Sequence, residues 1–137
     1  MLRTKRTAIL IGFCLSFTAA AWAHHAFSAE FDANKPVKLQ GKITRLEWIN
    51  PHSWIHIDVK SADGKIASWM VEGGSPNALI SKGVTKTLLT IGMEVVVEGY
   101  QAKNGTNTAN GRDITLADGR KLSLSSSNTA TDDKPKQ

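Results

Sequence analysis

Four histidines carry most of the chemistry open to this sequence: His24, His25, His52 and His56. Neutral imidazole is the commonest protein ligand for transition metals and suits zinc, copper and nickel. The first two histidines stand in "AWAHHAF", residues 21–27, directly behind a run patterned like a protease site. If the chain is cut after Ala23, His24 gains a free α-amine beside its own imidazole. That amine has a pKa near 8, low enough to yield its proton to a metal at neutral pH. The two nitrogens can then chelate one ion in a single ring. One further imidazole completes a flat set of three nitrogens, and a tetragonal nitrogen set points to Cu(II).

His52 and His56 are the sources of that third nitrogen. Four residues of extended strand span roughly 13 Å, so the two cannot share one ion unless residues 51–53 fold back. His52, beside the Asn50-Pro51 turn, is favoured and His56 is second. The rest of the chain offers no H-E-x-x-H, no paired C-x-x-C and no EF-hand loop. Without the cut, paired histidines in an arm are ordinarily just solvated. The chain-end chemistry resembles the histidine brace of secreted copper oxygenases and periplasmic copper carriers, which use immunoglobulin-like folds. An oxygenase would also need an open coordination position and a substrate surface, and the sequence displays neither; carriage or buffering is expected, not turnover.

A second candidate site is aromatic. Trp48, Trp54 and Trp69 fall on the first three expected strands. Trp48 and Trp69 share the parity of the apolar sets and are expected in the core. Trp54 alternates against Ile55, Ile57 and Val59, so it is the surface candidate for ligand binding, with Asn50 at the turn and Glu72 at the end of the third strand. Ser53 and Ser75 lack a G-x-S-x-G elbow, so a hydrolase is unsupported.

Export is read from the first 23 residues. Arg3, Lys5 and Arg6 precede the apolar run "TAILIGFCLSFTAA", which closes on Ala21-Trp22-Ala23, the layout of a cleavable signal peptide. The run is shorter than the roughly 20 residues that span a bilayer, so no membrane span is expected after cleavage. Cys14, the single cysteine, lies inside it behind Phe13, so neither lipid attachment nor a disulfide is expected. Removing 23 of 137 residues leaves 114, one small domain. The full chain has 17 Lys and Arg against 12 Asp and Glu; losing three cations leaves 14 against 12. With mixed signs and an exported location, nucleic acid is disfavoured. The expected partners are a transition-metal ion or an unidentified periplasmic protein.

Hydropathy patterning supplies the elements that must position these residues. Residues 24–36 read as an arm, with Phe27 and Phe31 as anchors. Residues 37–49 alternate as a half-buried strand whose parity slips after Ile43, as a β-bulge produces, with Gly41 supporting the bend. Residues 54–59 and 66–72 form a hairpin around Asp63-Gly64. Ser75, Pro76 and Gly83 punctuate a short helix over about 76–82. A strand follows the Gly92 turn, then a polar loop over 103–111. A last strand or hairpin runs through Ile114, Leu116 and Leu122 and turns at Asp118-Gly119. Residues 123–137 show no periodicity and read as a disordered tail. This order predicts an all-β domain with one short helix, an OB-like five-stranded barrel over 37–122.

The same residues resemble a family. "HHAF", Phe31-Asp32, Gly41 to Ile43 and the "W-x-N-P-H" of Trp48 to His52 carry one half. Trp69-x-x-Glu72, Ser75-Pro76, Leu79 and the "I-G-x-x-V-x-V-x-G-Y" of Ile91 to Tyr100 carry the other. The chain resembles the family catalogued as domain of unknown function 6152, small exported bacterial proteins, over about residues 24–122. The resemblance implies export and a small barrel and brings no established activity. Two functional expectations follow: a periplasmic copper-binding module, or a metal-free interaction or small-ligand module using the face from Trp54 to Glu72.

Overall fold

The computed structural model describes residues 27–126. The chain divides into two units, Met1–Glu30 and Phe31–Gln137. In the first, residues 27–30 are helical. The second is mostly antiparallel β-sheet with one short helix. Its elements are β1 (Phe31–Glu47), β2 (Trp54–Lys60), β3 (Ile66–Glu72), α1 (Pro76–Ser81), β4 (Glu94–Ala102), β5 (Thr108–Leu116) and β6 (Lys121–Ser123). The strand order is β3-β2-β1-β4-β5-β6, and β3 also pairs in parallel with β5 through Met70–Thr108, Val71–Ala109 and Glu72–Asn110.

β1 serves two neighbours in turn. It pairs with β4 from Phe31 to Lys42 and with β2 from Gly41 to Glu47. The handover falls at Gly41, where a Cβ would sit 2.3 Å from the backbone oxygen of Asp58, so only glycine allows this approach. The parity slip read from the sequence is present. Ile43 pairs with Ile57 and Arg45 with His56, so Thr44 is the inserted residue. β1 starts six residues earlier than the alternation predicts. Residues 32–35 lie between the Phe31–Ala102 and Pro36–Tyr100 pairs as an irregularity. Asp32 there accepts the Asn34 N–H at 2.9 Å, loop chemistry inside a strand, while Phe31 is 4% exposed and anchors it.

The turns are those the punctuation predicts. Gly64, Gly83, Gly92 and Gly119 all have positive φ. Ser75 caps α1 by accepting the Ala78 N–H, and Pro76 opens it. The N–H groups of Gly83 and Val84 close it on the carbonyls of Ile80 and Leu79.

Two boundaries differ from expectation at the C-terminal side. β5 begins at Thr108, inside the stretch read as a polar loop. Its inward positions there are Ala109 and Gly111, which carry no hydrophobic signal. A Cβ on Gly111 would meet Val71 at 2.8 Å and Leu124 at 2.9 Å. The expected tail start at Ser123 also moves: Ser123 ends β6, and Leu124 is fully buried, its N–H donating to the Arg112 carbonyl. Leu124 closes an aliphatic core with Ile43, Ile55, Ile57, Val71, Leu79 and Val97, each at most 2% exposed. Burying one such side chain stabilises the fold by about 1.5–3 kcal/mol.

Candidate functional site

The outer face of β1, β2 and β3 collects the chemistry. On β2, Ile55 and Ile57 point into the core at 2% and 0% exposure, so Trp54, His56 and Asp58 point outward. The Thr44 bulge brings Arg45 and Glu47 of β1 onto that same side. Register then sets Trp54 directly between two glutamates, Glu47 on β1 and Glu72 on β3. Directly paired residues share a face with Cβ atoms about 5 Å apart.

Each glutamate holds a histidine. His56 Nε2 donates to Glu47 Oε1 at 2.8 Å, and a terminal Arg45 nitrogen lies 3.2 Å from the same oxygen. His52 Nδ1 lies 3.2 Å from Glu72 Oε1. The two dyads are not equivalent. The His56 side chain is 19% exposed and the His52 side chain 39%. A neutral imidazole carries one N–H, so a carboxylate on one nitrogen fixes the lone pair on the other. A neutral ring protonated at the nitrogen that faces its glutamate would carry its lone pair on Nε2 in His52 and on Nδ1 in His56.

The position of His52 is built by backbone. Residues 48–53 form the loop between β1 and β2, in which the Asn50–Pro51 peptide is cis. The end of that loop is stitched to the end of β3. The Ser53 N–H donates to the Gly74 carbonyl at 3.0 Å, and the Gly73 N–H donates to the Ser53 carbonyl at 2.9 Å. Gly74 in turn donates to the Leu124 carbonyl at 2.8 Å. A Cβ on Gly74 would lie 3.0 Å from Ser126 Cα, so the C-terminal segment packs against this turn. Beside it, Lys82 Nζ donates to the Ser125 carbonyl at 2.5 Å, and burial depresses the lysine pKa. Glu72 at the centre is 7% exposed.

The sequence-derived site residues separate into three groups. His52, Trp54, His56 and Glu72 come together on one face. Asn50 is exposed in the adjoining loop. His24 and His25 lie outside the described residues. His52 and His56 do not converge, being held by carboxylates on opposite sides of Trp54. Among the described residues no three His, Cys, Asp or Glu side chains gather as a metal-holding group. Trp48 and Trp69 pack against the core as their parity predicts. Ser53 is 2% exposed and its Oγ has no hydrogen-bond partner among the described residues, His52 included. Sequence reading missed Glu47 and Arg45. The signal was available, because the bulge that returns Leu46 to the core necessarily sends Glu47 outward.

These features define a small β domain that carries a histidine, tryptophan and carboxylate face. Residues 13–111 match the model described as "Family of unknown function (DUF6152)", and the chain belongs to that family. No curated protein and no solved structure matches the chain.

Proposed function

We propose that this is an exported periplasmic binding module, built as an OB-like five-stranded barrel, that holds a transition-metal ion, copper foremost. The barrel reading is supported by the β3–β5 pairing, which gives β3 and β5 a neighbour on both sides, and by the helix between β3 and β4. The metal reading is carried by one observation. A buried glutamate stands 3.2 Å from Nδ1 of a histidine whose side chain is 39% exposed, so Nε2 of His52 is the ring nitrogen a metal would take. A carboxylate behind a histidine is the usual outer partner of a metal-bound imidazole. The amine and imidazole of His24 supply the other nitrogens, on the chain-end chemistry alone. His56 contributes less, since its Nε2 is occupied and its ring is mostly covered. With nitrogen ligands alone, the proposed role is carriage or buffering.

The test is Cu(II) titration of the secreted protein, with mass spectrometry reading its first residue and any bound metal together. Adding one residue ahead of His24 should weaken binding sharply. Unchanged affinity in that variant, or a mature start other than residue 24, removes the chain-end chelate.

A second reading is favoured by the position of Trp54. It stands outside the core cluster and between two carboxylates, which suits a metal-free ligand or partner surface.

A further inference from the structure

We propose that His56 and Met70 form a two-ligand site for a soft monovalent cation, Cu(I), on the outer face of β2 and β3. The site uses neither His24 nor His52, so it stands apart from the Cu(II) chelate proposed above. His56 and Met70 are direct partners in the β2–β3 register. Both point outward, since Ile55 and Ile57 on β2 and Val71 on β3 are buried. Directly paired side chains have Cβ atoms about 5 Å apart. Met70 is 40% exposed, whereas Met93 packs against the core. A thioether selects Cu(I), and imidazole also suits copper.

The surroundings of the pair decide which nitrogen and which ion. Glu47 lies on the β1 side of His56, with its Oε1 2.8 Å from His56 Nε2. In an imidazole, Nε2 and Nδ1 lie on opposite flanks of the Cβ–Cγ axis. Turning Nε2 toward β1 therefore turns the Nδ1 flank toward β3, where Met70 stands. Methionine has three rotatable bonds, so its sulfur can adapt to that flank. The neighbouring carboxylates are engaged: Glu47 by His56 and Arg45, and Asp58 by the Ser68 hydroxyl at 2.6 Å. Arg45 is thereby held on the β1 side, across His56 from Met70. Zinc almost always takes four ligands in such structural sites. Among the described residues no three His, Cys, Asp or Glu side chains gather to supply them. A closed-shell Cu(I) ion needs only two, one imidazole nitrogen and one thioether sulfur.

The experiment titrates the exported protein, methyl-labelled at methionine, with silver nitrate in chloride-free buffer. Ag(I) shares the ligand preference of Cu(I) and keeps its oxidation state. Methyl NMR reads Met70, with Met93 as internal reference, and nitrogen NMR reads the imidazoles. One equivalent of Ag(I) should shift the Met70 methyl and His56 Nδ1 and leave the Met93 methyl in place, while Zn(II) should leave Met70 unmoved. Met70→Leu keeps the side-chain volume and removes the sulfur. It should weaken Cu(I), measured anaerobically against a competing chelator, by about tenfold or more, because one of two ligands is lost. The variant should melt close to the parent, since Met70 is exposed. The proposal is overturned if Ag(I) leaves the Met70 methyl unmoved, if Zn(II) shifts it equally, or if Met70→Leu binds Cu(I) like the parent. A shift on Nε2 of His56 in place of Nδ1 also overturns it. His52→Ala should leave the Met70 response intact; its loss there would move the ion to His52. A residue added ahead of His24 tests the Cu(II) chelate without touching Met70, so the two readings fail separately.

Discussion

Replacing Glu72 tests whether this residue acts through His52. Its carboxylate is buried to 7% exposure and lies 3.2 Å from His52 Nδ1. Glu72→Ala removes the carboxylate beside Nδ1, which on the proposed reading orients the ring. Removing the outer partner of a metal-bound histidine typically costs about 10–100-fold in affinity, or about 1.4–2.8 kcal/mol. Glu72→Gln keeps a carbonyl oxygen able to accept the same N–H but drops the charge, so its loss should sit near the tenfold end. Because Glu72 is buried, denaturant unfolding is run on each variant so that copper affinity is compared only between folded proteins. The assay is competition for Cu(II) against a chelator of known affinity, run beside nitrogen NMR of the metal-free imidazoles. Parent protein should show His52 protonated on Nδ1, and Glu72→Ala should show a mixture. If His52→Ala weakens copper binding while Glu72→Ala leaves both affinity and tautomer untouched, Glu72 is not the orienting group. If neither variant changes affinity, His52 is not a ligand.

The remaining predictions concern stability. Leu124→Ala should cost about 2–5 kcal/mol by denaturant unfolding, because the side chain is fully buried against Gly111 and the core; a change below about 0.5 kcal/mol would mark it as part of a solvated tail. Glu98 is held below the usual glutamate range chiefly by its hydrogen bond from Lys121, with Arg112 and Lys38 adding attraction. A depressed acid stabilises the fold above its ordinary value of 4.5 and loses that contribution as pH falls through the folded value. The melting temperature should therefore drop on acidification below 4.5, and Lys121→Ala should flatten part of that slope. Matching pH profiles for parent and variant would remove Glu98 as a source of the acid sensitivity.

What the sequence made legible follows from how much signal each element carries. β2, β3 and β4 alternate cleanly, with Val95 and Val97 inward and Ile66 and Met70 outward, and their turns hold glycines at positive φ. The bulge was readable because Ile43 and Leu46 cannot both face inward in a regular strand. The N-terminal end of β1 was hidden by Asp32 to Lys35, which make loop contacts while remaining inside the strand. The beginning of β5 was hidden by alanine and glycine at inward positions, which exist because β3 and Leu124 press closely there. Residues after Ser123 look unpatterned because one leucine among serines is too little for periodicity, yet that leucine reaches the core. For the site, the histidines and Trp54 were visible from type and spacing. Their partners were not, because Glu47 and Glu72 meet them only through strand register.

The Thr44 bulge joins the demands of the core to those of the face. A regular β1 continuing past Ile43 would place Arg45 and Glu47 inward and Leu46 outward. Burying an unpaired carboxylate costs several kcal/mol, and exposing Leu46 forfeits part of its burial. One extra residue resolves both, returning Leu46 to pack against the core and setting Glu47 beside His56. The same insertion therefore creates the β1 half of the polar row. The β3 half depends on a different device, the stitching of Ser53 to Gly73 and Gly74, which holds His52 over Glu72. Two unrelated backbone features thus place matching histidine–glutamate pairs on either side of one indole. Rigid packing of strands explains why each pair stays ordered once formed.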